Sequence, residues 1–144
     1  MAARTDVILG SPDELAVVTN RGAGDDPADL ARAVIALGPS VAVVKLGARG
    51  ALAIDHHAPD VAVARPGVPL PLVVDPIGAG DAFCAGFIDA RLDGADLGSA
   101  LEIGNACGAA VASALGDQTG LPNRAEIAAI LRGSTDTGAP DTIR

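Results

Sequence analysis

An α/β fold with a largely parallel sheet is what the sequence predicts, on three observations. Short apolar runs, such as Val7-Ile8-Leu9 and Val41-Ala42-Val43-Val44, alternate with longer stretches of helical spacing. Hydrophobic residues make up 49% of the 144 residues against 19% charged, which suits one buried core and is too apolar for a disordered chain. No linker, internal repeat or low-complexity segment divides the chain.

The elements follow in order. Val7-Ile8-Leu9, ended by Gly10, reads as a buried strand. Ser11-Pro12-Asp13-Glu14 then supplies an N-cap, a proline at the first helical position and a glutamate three residues on, a capping box that opens a helix through Thr19. Asn20 to Asp25 is a glycine-rich loop. Asp26-Pro27 starts a second helix, with Leu30, Val34 and Leu37 on one face and Gly38-Pro39 as its stop. Val41 to Val44 is the next strand, and Gly47 to Gly50 a turn. Ala51 to Ile54 and Val61 to Ala64 are further strands around a polar tip, Asp55-His56-His57.

Leu72-Val73-Val74 reads as one more strand, running into Asp75-Pro76-Ile77-Gly78-Ala79-Gly80-Asp81 and a helix from Ala79 to Leu92. A long helix covers Leu97 to Leu115, where Leu101, Gly104, Gly108, Val111 and Leu115 form a narrow face of mostly small residues. Asn123 caps a final helix to Leu131, with Glu126 three residues on. Gly133 to Arg144 lacks periodicity and is expected to be a disordered tail.

Charge excludes some functions. Ten Lys and Arg against eighteen Asp and Glu give a net charge of −8, which argues against a nucleic-acid backbone or an anionic membrane as partner. Trp and Tyr are absent, so the stacking platforms of single-strand binders are missing too. No segment has the run of about 18 apolar residues that a membrane span needs. Cys84 and Cys107 form no Cys-x-x-Cys pair, and two buried structural thiols in the reducing cytoplasm are expected. His56 and His57 have no cysteine nearby and read as a solvated tip.

The chemistry concentrates at Gly78-Ala79-Gly80-Asp81. Between a strand and a helix, two glycines let the backbone turn tightly, and the first helical turn offers unpaired N–H groups at its positive end. That suits a phosphate, and a carboxylate in the same turn suits a proton acceptor. Asp81 is otherwise only a favourable acidic residue at a helix start. Gly22-Ala23-Gly24-Asp25 repeats the four letters after polar Thr19-Asn20-Arg21, and there an ordinary loop is expected. No Gly-x-x-x-x-Gly-Lys-Ser/Thr loop is present, so a Walker-type NTPase is not supported.

Asp75 to Phe87, with the sequence DPIGAGDAFCAGF, resembles the C-terminal motif of the ribokinase-like (PfkB) carbohydrate kinases. Val43 to Ala51 (VVKLGARGA) is similar to that family's strand and glycine turn beside the nucleotide. Asn105 stands in the matching alanine-rich helix, and Gly116 to Pro122 resembles the loop after it. Lys45-Leu46-Gly47 and Gly116-Asp117 look most like the 2-keto-3-deoxygluconate kinase branch.

The resemblance implies the C-terminal part of a ribokinase-like three-layer α/β/α fold with a mostly parallel sheet, over residues 1–132. It implies ATP-dependent phosphorylation of a sugar or sugar-acid hydroxyl in the cytoplasm, with Mg2+ and a monovalent cation such as K+. Asp81 would be the base, and Gly78, Ala79 and Gly80 the anion hole. Gly47, Gly50 and Asn105 would line the nucleotide. Lys45, which stands where many relatives have Thr, either reaches a nucleotide phosphate or closes its strand. Asp75 matches a monovalent-cation position, although Pro76 replaces the hydroxyl residue often found after it. Glu14 matches the second residue of an Asn-x-x-Glu motif that organises Mg2+ through water, but Ser11 replaces the Asn and the capping box explains both.

Family members are about twice this length, and their acceptor-binding half has no counterpart here. The strand at Val7-Ile8-Leu9 would then carry an open apolar edge, which calls for a protein partner or self-association. The alternative is a nucleotide-binding module or remnant without kinase activity of its own.

Overall fold

A computed structural model describes residues 5–116 and 118–136. Four strands form one sheet in the order β1 (Val7–Gly10), β2 (Val41–Lys45), β3 (Ala51–Asp55) and β4 (Ala62–Arg65). β1 and β2 are parallel, with Gly10 opposite Val44. The pairs β2–β3 and β3–β4 are antiparallel. The α/β class holds, but the largely parallel pairing does not hold within this sheet. Connection length explains why: only the β1-to-β2 link, which carries α1 (Pro12–Thr19) and α2 (Pro27–Ala36), is long enough for a crossover, whereas Leu46 to Gly50 can only close a hairpin.

Helices cover both faces. Along β2, Ala42 and Val44 point one way and pack with Leu15, Ala31 and Val34 of α1 and α2. Val41 and Val43 point the other way, against Phe83 and Phe87 of α3 (Ala79–Leu92) and Ala100 and Leu101 of α4 (Leu97–Ala112). Val41 to Val44 are all at most 5% exposed, so β2 is buried on both faces and the run reads as continuous apolar rather than alternating. The two phenylalanines stack with centroids 6.3 Å apart.

Glycines set the distance between α3 and α4. A Cβ at Gly86 would lie 2.5 Å from Cys107 Sγ, and one at Gly104 would lie 2.9 Å from the Phe83 ring. The small-residue face predicted for α4 is therefore its contact with α3. The helix ends at Ala112, three residues earlier than expected, and Leu115 is 76% exposed beyond it.

Two further expectations are corrected. Leu72-Val73-Val74 joins no strand; instead the N–H groups of Val74 and Asp75 both donate to Ala112 O. Pro69, Pro71 and Pro76 surround this run and leave it few donors for a ladder. The last helix, α5, runs Arg124–Asp136, so Gly133 to Asp136 are helical where a tail was expected; residues 137–144 lie outside the described ones. Arg124 bonds Asp89 and Asp93, tying α5 to α3. Cys107 is buried as expected, whereas Cys84 is only half-buried. Among the described residues, no helix is long and apolar enough to cross a membrane.

Candidate active site

The loop entering α3 is shaped by its own residues. Asp75 Oδ1 accepts the Ile77 N–H at 3.0 Å, and Oδ2 accepts the Gly116 N–H at 3.3 Å. The carboxylate thus straps this loop to the end of α4, and a cation there would share both oxygens with those donors. Gly78 then sits at φ 80°, ψ −13°, a left-handed conformation that a side chain would strain. No side chain caps α3, a helix of 14 residues; the Ala79 N–H donates to Pro76 O at 3.3 Å, which leaves the N–H groups of Gly80 and Asp81 as the donors offered by its first turn. Asp81 stands in that turn, exposed, its carboxylate with no hydrogen bond or ion pair among the described residues.

Lys45 arrives from the end of β2. Its Nζ lies 3.7 Å from Cys84 Sγ, and a Cβ at Gly80 would meet it at 3.3 Å. The ammonium therefore rests on the first turn of α3.

Beside this turn opens a cavity of about 310 Å³, within the range of small-ligand pockets. Lys45, Gly47, Gly50 and Asn105 line it together with Ala79 and Gly80. Gly50 sits at φ 96°, and a Cβ there would collide with the Arg65 carbonyl and Pro66. Two backbones therefore touch, and the hairpin turn is fixed against the segment leaving β4. Asn105, 8% exposed on α4, donates from Nδ2 to Pro66 O at 3.0 Å and to Arg65 O at 3.4 Å. Its amide holds that segment as a wall, besides lining the cavity.

The wall itself, Gly67, Val68 and Leu70 facing Ala109 and Ala112, was not expected from the sequence. Its signal was present: Pro66 and Pro69 bracket a run too proline-rich for a strand, on the way to the glycine turn.

The remaining candidates lie apart from the cavity lining. Glu14 closes the capping box, accepting the Ser11 N–H at 2.6 Å while its own N–H donates to Ser11 Oγ at 3.3 Å. That backbone bond, aided by the charge of Lys45, holds its carboxyl below the usual carboxylate range. Gly22 to Asp25 form an exposed loop, with the Asp25 N–H on Gly22 O. At the β3–β4 tip, Asp55, His56 and His57 bring ligand atoms within 4.8 Å of one another. Asp55 Oδ1 accepts the His57 N–H there, and both histidines are exposed.

The α/β scaffold is ribokinase-like: it superposes on a ribokinase from Arabidopsis thaliana with a TM-score of 0.82 at 23% identity, over 91% of this chain and 42% of that one. The chain belongs to the pfkB family of carbohydrate kinases, which it matches over residues 1–124. It is 48% identical over 59 residues to the 2-dehydro-3-deoxygluconokinase of Bacillus subtilis, covering 41% of this chain and 18% of that one. It is 30% identical over 128 residues to the 5-dehydro-2-deoxygluconokinase of Bacillus velezensis, covering 88% of this chain and 37% of that one. A ribokinase II from E. coli, solved in complex with ATP and Mg2+, superposes with a TM-score of 0.80 at 26% identity, over 92% of this chain and 41% of that one. The chain thus spans less than half the length of these relatives.

Proposed function

We propose that this chain is the nucleotide-binding and catalytic-base portion of an ATP-dependent kinase acting on a hydroxyl of a sugar or sugar acid. The observation that carries the reading is convergence. Lys45, Gly47, Gly50 and Asn105, far apart in sequence, line one cavity with Ala79 and Gly80, and Asp81, outside the lining itself, follows Gly80 in the same helical turn. The named activities of the Bacillus relatives favour a keto-deoxy sugar or sugar acid as acceptor.

In this reading the apolar slot between Val68 and Ala109 takes the base, and the triphosphate runs along the 47–50 turn toward α3. The acceptor oxygen attacks the terminal phosphorus, the bond from that phosphorus to the bridging oxygen breaks, and ADP leaves. Asp81 takes the hydroxyl proton as the oxygen attacks. The N–H groups of the first turn of α3 hold the charge that spreads over the phosphoryl oxygens.

Mg2+ bound to the nucleotide phosphates would add neutralising charge there. Among the described residues no cluster of metal-ligating side chains lies at this cavity, the one such group being Asp55, His56 and His57 at the β3–β4 tip, and Glu14 Oε2 is engaged by the Ser11 N–H. ATP as donor, together with two unbridged thiols, supports a cytoplasmic protein. The acceptor side of Asp81 is open, and the rest of a ribokinase-like fold would close it, on this chain or another.

That openness favours one second reading, a nucleotide-binding module that needs a partner for transfer. The test is sugar-dependent ADP release by this chain completed with the acceptor-binding portion of a relative. Asp81→Asn should lower turnover by about 10²-fold or more, with nucleotide affinity nearly unchanged. Asp25→Asn, in the second Gly-Ala-Gly-Asp, should leave turnover intact. Full turnover in Asp81→Asn would remove Asp81 as the base.

A further inference from the structure

Lys45 is the chain's single lysine, and its ammonium has three N–H donors. Among the described residues the one partner recorded for Nζ is Cys84 Sγ at 3.7 Å, a weak acceptor. Among the described residues no carboxylate pairs with it, although Lys45 is half-buried and lines the cavity.

Three features at this point favour the same occupant. Gly80 leaves the ammonium room to rest on α3, since a Cβ there would approach Nζ to 3.3 Å. The first turn of α3 has no side-chain cap, and while the Ala79 N–H is taken by Pro76 O, the Gly80 and Asp81 N–H groups lie at the helix end on which the ammonium rests. Glu14, whose charge couples to Lys45, is turned into its own helix cap and bonds the Ser11 N–H at 2.6 Å, so it makes no direct pair with the ammonium.

We propose that Lys45 is the cationic contact for the phosphoryl group in transit, and that this ammonium, not a metal anchored at Glu14, is the fixed positive charge of the phosphate end. The inference rests on the reading that the cavity takes a nucleotide, and it goes further by naming which group meets the phosphate and how it changes the metal requirement. A protein-borne cation lets the triphosphate bind without a divalent ion. A residue such as Thr at this position leaves that charge to the metal.

The experiment is calorimetric titration of the full chain with ATP and with adenosine, each in Mg2+ and in EDTA. Wild type should keep its ATP affinity within about tenfold when Mg2+ is chelated. Lys45→Met and Lys45→Thr should bind ATP in EDTA at least about tenfold more weakly than wild type, as expected for loss of a charged hydrogen bond, and should bind adenosine unchanged. Glu14→Gln should tighten ATP binding a few-fold in EDTA. Equal losses for ATP and adenosine would reduce Lys45 to a support of the turn and overturn the proposal. Wild-type ATP affinity in Lys45→Thr, or collapse of wild type to the Lys45→Thr level in EDTA, would overturn it as well. Those results leave the nucleotide site standing. Wild type that binds neither ligand would overturn the site together with this inference.

Discussion

Gly108 stands so close to Ala79 that a Cβ on it would lie 3.0 Å from the Ala79 carbonyl oxygen. One residue belongs to the middle of α4 and the other to the first turn of α3, where the proposed anion cradle begins. The cradle is therefore positioned by helix packing as well as by its own glycines. Sequence sets the small residue, the small residue sets the approach, and the approach sets where the N–H groups point.

A side chain at that contact must move the cradle. Gly108→Val should destabilise the chain by about 1–3 kcal/mol, because backbone is what it meets. It should also weaken ATP binding. Gly133 is the opposite case: it is helical, and a Cβ there would meet nothing within 4 Å. Gly133→Ala should gain about 0.5–1 kcal/mol without touching affinity. Urea denaturation of both variants reads the signs. A neutral Gly108→Val would show that α4 does not hold the cradle.

Acid should loosen the start of α1. The folded-state carboxyl of Glu14 is held low, chiefly by the Ser11 N–H. Its stabilisation is therefore complete above the ordinary carboxylate pKa and disappears as pH falls through the lowered value. Glu14→Gln should cost a few tenths of a kcal/mol at pH 7, since the group is well exposed, and the two proteins should converge in acid. Denaturation at a series of pH values checks this; a gap that persists in acid would contradict the charge-based cap.

Much of this was legible because it is local. Ser11 to Glu14 form the capping box that their spacing predicts, and Gly78 takes the left-handed turn that opens α3. The rest depends on distant partners. Leu72 to Val74 carry a strand-like apolar run, yet the residues they meet are at the end of α4, which no local pattern encodes. Asn105 looks like a base contact by position, while its amide hydrogens go to Arg65 and Pro66, forty and thirty-nine residues away. The antiparallel pairing was readable in principle, from the short turn after Lys45.

The open edge should show in solution. Val7, Ile8 and Leu9 pair with β2 on one side only among the described strands, and Val17 on α1 and Leu92 on α3 are 84% and 82% exposed. Such a surface favours association. Sedimentation at rising concentration should show self-association, and an apolar-surface dye should bind. A compact monomer that ignores the dye would contradict an unfilled interface.

ATP should occupy the cavity between the 47–50 turn and α4, with its phosphates on the start of α3. Amide chemical-shift mapping of the full chain during an ATP titration tests it most directly, because the sequence carries its own control. ATP should move the amides of Gly47, Gly50, Ala79 and Gly80 and the side-chain amide of Asn105, while Gly22, Gly24 and Asp25 stay in place. A folded chain whose cavity amides ignore millimolar ATP, or whose shifts gather at Gly22 to Asp25, would contradict the account.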